Sequence, residues 1–221
     1  MNDMRFLRQQ DVVDAAKLAN LQITLIGLGS IGSVTGLYLT KMGVCNLTCF
    51  DADVVEEHNW SNQLYSEADI GSTKAEAFEK LVKSYGSQSP SVQCKRFTNQ
   101  PLTEVVISAV DSMESRKIIW KAVRESPIVR LYVDARMGLQ TSVAWAVSPL
   151  HKSIRVAYSK SMCEDSFALQ EPCTARTIGY TPLLAASVIC RLVKGFATQE
   201  QIPQQVIMDL ATFTCMTPGF G

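Results

Sequence analysis

The chain has 221 residues, 47% of them hydrophobic and 19% charged, with 21 basic and 21 acidic side chains and so no net charge. That length and composition suit one α/β domain with a sizeable core. The balanced charge argues against a nucleic-acid footprint, and no run of ~20 uninterrupted apolar residues offers a membrane span.

MNDMRFLRQQ, at the start, lacks the apolar core of a signal peptide. Helix-like spacing of Val12, Ala15, Ala16, Leu18 and Ala19 predicts a short helix over 11–21. ITLIG reads as a strand buried on both faces. GLGSIG follows, then a helix, SVTGLYLTKM, ended by Gly43. NLTCFDAD is a second strand ending in acids, EEHNWSNQLYSEADIG a polar irregular stretch, and TKAEAFEKLVKSYG an amphipathic helix. SVQCKRF and EVVISAVD are the third and fourth strands. A helix capped by Ser112 and a fifth strand, IVRLYVDARMG, come next.

In the second half LQTSVAWAVSP and SIRVAYS read as added, antiparallel strands. SKSMCEDSFALQEPCTART is a polar stretch of the length that is usually functional. TPLLAASVICRLVKGF is an apolar helix that must be largely buried, and QQVIMDLATFTC is a final strand. The order predicts a single α/β domain over 1–221: a Rossmann-like, doubly wound, mostly parallel sheet with added antiparallel strands and a C-terminal helix.

Gly27, Gly29 and Gly32 form G-x-G-x-x-G between a strand and a helix, with Ser30 and Ile31 inside it. The first glycine permits the tight turn, the second lets backbone approach a phosphate, and the third lets helix and strand pack closely. The helix N-terminus then presents free N–H groups to an anion. Asp51 ends the second strand where an acceptor for ribose hydroxyls usually stands. This motif alone does not separate NAD from ATP.

FDADVVEEHNWSNQLYSEADIGSTKAEA resembles the nucleotide-site signature of the ThiF/MoeB/HesA family of the ubiquitin-activating enzyme superfamily. Asp51, Asp53 and Val54 match its D-x-D-x-V, Asn59 and Gln63 its N-x-x-R-Q, and Gly71 and Lys74 its G-x-x-K. RFLRQ near the start and ISAVDSMESR, through Asp111 and Arg116, match two further elements. The resemblance implies an ATP-dependent adenylyltransferase acting on a carboxylate, with ATP and Mg²⁺ as cofactors. It implies that Asp51 holds the ribose, Lys74 the phosphates and Asp111 the Mg²⁺, and that Asn59 helps place the nucleotide. Lys74 in a first helical turn faces an unfavourable dipole, which independently favours an anion partner.

The chain departs from the family at Asn62, where an arginine normally meets the triphosphate. Arg5, Arg8, Arg116 and Arg136 are the candidates to supply that charge, in cis or from a partner chain. A non-catalytic subunit of the same fold, serving an active partner, stays open as a second reading. A nicotinamide dehydrogenase is a third, and it lacks an evident proton donor.

Pro172-Cys173-Thr174, with Arg176 close by, resembles the catalytic cysteine element of ubiquitin-like protein activators. A nearby cation and a helix N-terminus would both favour the thiolate. Cys163 is a weaker candidate in the same stretch. The seven cysteines include no C-x-x-C pair, so neither a disulfide framework nor a four-cysteine zinc site is expected, and a reducing cytoplasm is the natural setting. Cys45, Cys49 and Cys190 read as core filler. The two histidines, His58 and His151, lack the company of a metal site, and Trp60 stands in a polar loop as a lid or a dimer contact. The resemblance further implies a homodimer. Its partners would be a ubiquitin-like or sulfur-carrier protein supplied in trans, and a conjugating enzyme or sulfurtransferase.

Overall fold

A computed structural model describes residues 4–13, 15–86, 89–162 and 178–219. The described strands form one sheet in the order β3-β2-β1-β4-β5-β6-β7-β8. They are β1 Gln22–Ile26, β2 Asn46–Asp51, β3 Ser91–Cys94, β4 Val105–Ser108, β5 Leu131–Gly138, β6 Thr141–Val147, β7 Gln205–Asp209 and β8 Thr214–Met216. The first five pair in parallel and the last three join antiparallel. Four helices connect the parallel part or precede it: α1 Ala15–Ala19, α2 Ser30–Met42, α3 Lys74–Ser84 and α4 Met113–Glu125. Two more, α5 Lys152–Lys160 and α6 Tyr180–Ala197, follow β6.

The parallel strands read as apolar runs because both of their faces are covered. In β1, Ile23 and Leu25 are wholly buried, and β4 is buried throughout. On one side Leu25, Leu39, Phe78 and Ile189 pack together; on the other, Val106, Trp120, Tyr132 and Tyr158 do. Helix α3 starts at a capping box in which Thr73 and Glu76 each accept the other's backbone N–H at 3.2 Å. Helix α2 stops at Gly43, whose φ of 113° only glycine adopts without strain.

Two expectations change. SIRVAYS is not a strand but lies in α5. Ile154 and Tyr158, four residues apart, are buried while Val156 between them is 44% exposed, whereas a strand would have put all three on one face. Packing on Trp120 and Trp145, whose rings lie 4.8 and 5.6 Å from that of Tyr158, selects the helix. The final strand is a hairpin, because Asp209 accepts the Ala211 N–H and the Thr212 hydroxyl, both at 2.9 Å, and turns the chain. The apolar α6 is covered over most of its length, as expected: Thr181, Ala185, Ile189 and Leu192 are buried, while Leu183 is 47% exposed. By length and composition α6 could span a membrane, yet half of it is buried inside the fold, as in a core helix.

Candidate nucleotide site

Strand order reverses direction between β1 and β4, and the crevice beyond the carboxyl ends of these strands is where open α/β sheets take ligands. The glycine loop lies there. Gly27 has φ 94° and donates to the Phe50 carbonyl at 2.9 Å. A Cβ on Gly27 would stand 2.5 Å from the Ala109 carbonyl oxygen, and one on Gly32 only 1.9 Å from that of Gly27. These two glycines are therefore required by packing, while a Cβ on Gly29 would approach only Gln63 Nε2, at 4.0 Å. The open face over Gly29 is the side from which a phosphate can approach. Gly29 also caps α2 without any side-chain hydrogen bond, so the N–H groups of its first turn, at Ser30 and Ile31, meet no cap from a side chain.

Asp51, 8% exposed, ties this loop to the second strand. Its Oδ2 accepts the Leu28 N–H at 2.6 Å and its Oδ1 the Asp53 N–H at 2.8 Å. Burial raises its pKa above the ordinary carboxylate value, against the pull of the Leu28 N–H and the Lys74 charge. Each carboxylate oxygen keeps a second lone pair, so a ribose hydroxyl can still be accepted.

Lys74 is only 8% exposed, and its Nζ lies 3.0 Å from Asp53 Oδ2. A solvated surface lysine is thus excluded: the fold turns this ammonium inward, beside both acids. Tyr65, which the sequence did not single out, donates its hydroxyl to the Leu28 carbonyl at 2.6 Å and locks the loop from the other side. Its signal was a large aromatic in a largely polar stretch.

The stretch between β2 and α3 is built from short capped turns. Asn59 Oδ1 accepts the Glu56 N–H at 3.0 Å, and the Asn59 carbonyl accepts the N–H groups of Asn62 and Gln63. Asn59 therefore shapes the turn that presents Asn62 and Gln63. Asn62 Oδ1 and Gln63 Oε1 are both buried without a hydrogen-bond partner, an arrangement that favours a donor-bearing ligand. Asp69 clamps the stretch to α3: it accepts from Ser66 N at 2.9 Å and from Lys80 Nζ at 2.6 Å, which lowers its pKa to about 2. Trp60 is 63% exposed on this loop, and His58 is exposed with Glu56 3.4 Å away.

Asp111 follows β4, two residues beyond the Ala109 that abuts Gly27, and is exposed. No group of three or more metal-ligating side chains occurs among the described residues. Mg²⁺ fits such a site, because it is commonly held by one or two carboxylates together with phosphates and water.

None of the four arginine candidates replaces the family arginine directly from within the described chain. Arg116 is buried against Asp134 at 2.7 Å, and Arg136 pairs with the same carboxylate at 2.8 Å. Arg5 donates to the Gly86 carbonyl beyond the end of α3. Arg8 shares its 3-10 helix, Met4–Gln9, which packs against the C-terminal end of α2; that end lies about 20 Å from the glycine loop by helix rise. Cys163, Cys173 and Arg176 lie outside the described residues. Gly179 lies against the turn that carries Asn62, since a Cβ on it would stand 2.9 Å from the Ser61 carbonyl oxygen.

The ThiF family model matches residues 3–218. The chain belongs to the ThiF family. It is 28% identical over 144 residues to ubiquitin-like modifier-activating enzyme 5 of Gallus gallus, which covers 55% of this chain and 36% of that protein. To the sulfur carrier protein ThiS adenylyltransferase of Escherichia coli K12 it is 31% identical over 138 residues, 54% of each chain. It thus spans from about a third to about half the length of these curated relatives. Among solved structures, E. coli MccB bound to AMPCPP and MccA aligns with TM-score 0.77 at 18% identity, over 100% of this chain and 72% of that chain. PaaA aligns with TM-score 0.72 at 15% identity, over 93% and 66% of the two chains. At these identities the structural likeness establishes a ThiF-type Rossmann-like fold, as the sequence predicts.

Proposed function

We propose that this ThiF-family chain is an ATP-dependent adenylyltransferase that activates a carboxylate. The observation that carries the reading is the buried Lys74 ammonium, held by Asp53 beside the glycine loop and Asp51. A cation kept out of water there offsets the charge of bound phosphates far better than one in solvent. The loop and the α2 N-terminus receive phosphate oxygens, Asp51 accepts the ribose, and Asp111 is the carboxylate offered to Mg²⁺. The substrate carboxylate attacks the α-phosphorus and pyrophosphate leaves. Mg²⁺ at this position supplies compensation for the charge on the phosphates. The names of the relatives support a ubiquitin-like protein or a sulfur carrier as the source of the carboxylate. Transfer to Cys173, a homodimer, a conjugating enzyme or sulfurtransferase as further partner, and a cytoplasmic setting belong to the same proposal.

Calorimetry with ATP/Mg²⁺ and with NAD tests the nucleotide, and carboxylate-dependent ATP–pyrophosphate exchange tests the chemistry. ATP binding with exchange is expected; NAD binding without ATP binding overturns the reading. One observation favours the second reading, a non-catalytic subunit. Asn62 replaces the family arginine, while Arg116 and Arg136 are both engaged by Asp134. ATP binding without exchange, restored by an active partner chain, is the signature of that role.

A further inference from the structure

Asp134 has no exposed surface and lies inside the sheet, in register with Ser108 at the end of β4. Its two oxygens are shared between two guanidinium groups. Oδ1 accepts from Arg116 Nε at 2.7 Å and Oδ2 from Arg136 Nε at 2.8 Å. Arg116 is itself 4% exposed, and its Nη2 goes on to the Val110 carbonyl at 2.6 Å and the Ala135 carbonyl at 3.3 Å. Val110 immediately precedes Asp111. The second arm, Arg136, ends on the Ser161 carbonyl at 3.0 Å and the Ser161 hydroxyl at 3.1 Å, beyond α5.

Stability alone is a weak reason for this arrangement. Two buried ions cost several kcal/mol each to dehydrate, and apolar residues of equal volume usually serve a core as well. What the network does supply is direction. A guanidinium gripped by Asp134 at one edge presents its other N–H groups at fixed angles. Those groups hold the backbone from which the Asp111 side chain projects, and they hold it from the buried side, leaving the exposed carboxylate free.

We infer that Asp134 is a positioning residue for Asp111, acting through Arg116 and the Val110 carbonyl on the turn between β4 and α4. This rests on the reading of Asp111 as the residue that meets Mg²⁺. Residues behind a metal ligand typically alter metal affinity or activity by about 10–100-fold when removed. The Arg136 arm leads to α5 instead, so the two arms should separate experimentally.

The test compares the unmodified chain with Asp134→Asn, Arg136→Met and the double variant Asp134→Asn/Arg116→Met. Amide hydrogen exchange of residues 109–113 is read in the free protein, and Mg²⁺ dependence is read by calorimetry with ATP. In Asp134→Asn the turn amides are expected to exchange at least about tenfold faster, and the Mg²⁺ midpoint to rise about tenfold or more. ATP binding at saturating Mg²⁺ should stay within about threefold of the unmodified chain. Arg136→Met should leave both readings unchanged. The double variant removes the uncompensated buried Arg116, so it should regain thermal stability while the Mg²⁺ midpoint stays high. It also carries the test if Asp134→Asn does not fold. Recovery of the Mg²⁺ midpoint together with stability overturns the inference, as does an unchanged midpoint in a folded Asp134→Asn. Absence of Mg²⁺-dependent ATP binding in the unmodified chain overturns the functional reading, and this inference with it.

Discussion

Asp51 and Leu28 are joined by a hydrogen bond of 2.6 Å, from the backbone N–H that follows the first loop glycine to a buried carboxylate oxygen. The acid that ends β2 thus holds the phosphate loop in shape before any nucleotide arrives. Asp51→Asn leaves one oxygen and puts an N–H₂ where an acceptor is needed. A loss of about 1–3 kcal/mol in stability is expected, the cost of an unsatisfied buried N–H, and denaturant unfolding reads it. A variant as stable as the unmodified chain would show that the loop keeps its shape without this bond.

Gly32→Ala should be worse than a glycine-to-alanine change in an ordinary helix. The new Cβ would lie 1.9 Å from the Gly27 carbonyl oxygen, which is backbone and cannot swing away. Overpacking of this kind costs about 2–3 kcal/mol and displaces the loop, so both the thermal midpoint and ATP affinity should fall. Gly29→Ala, with open space around the Cβ, should keep stability and lose affinity alone.

Asp69 links the site loop to pH. Its pKa falls from the ordinary 3.8 to about 2, chiefly through Lys80 and Ser66. A carboxyl whose folded pKa is depressed adds stability above its unfolded pKa and loses it as pH falls through the folded one. The contribution is therefore complete above about pH 5 and fades between roughly pH 4 and 2. Asp69→Asn should flatten the pH dependence of stability in that window. An unchanged slope between unmodified chain and variant counts against the clamp.

Asp111→Ala should abolish carboxylate-dependent pyrophosphate exchange, by at least about 10²-fold, while leaving the fold intact, because the exposed side chain supports no described core contact. Exchange at the unmodified rate would remove Asp111 from the site.

Adenylation and thioester formation are separable, since one is phosphate chemistry and the other needs a nucleophile. Cys173→Ala should keep exchange and lose any reducible adduct with the partner protein on a non-reducing gel. An adduct that survives in Cys173→Ala and disappears in Cys163→Ala assigns the role to the other thiol. Exchange without an adduct in any form of the chain means that the reaction stops at the adenylate.

Where burial and local turn chemistry agree, the amino-acid order determined the result by itself. The apolar runs of β1 and β4 and the Thr73–Glu76 cap form from neighbours in the chain, and the motif order, G-x-G-x-x-G included, placed the chain in its family. Tertiary structure decided what depends on distant partners. I-R-V-A-Y alternates well enough for a strand, and only the aromatic pocket of Trp120, Tyr132 and Trp145 makes it a helix. Lys74 reads as a cation that wants an anion beside it, but only the folded chain shows that Asp53, 21 residues earlier, holds it inward. Arg116 and Arg136 look like spare cations for a phosphate, but Asp134 engages both, because a carboxylate buried without paired cations is too costly to dehydrate.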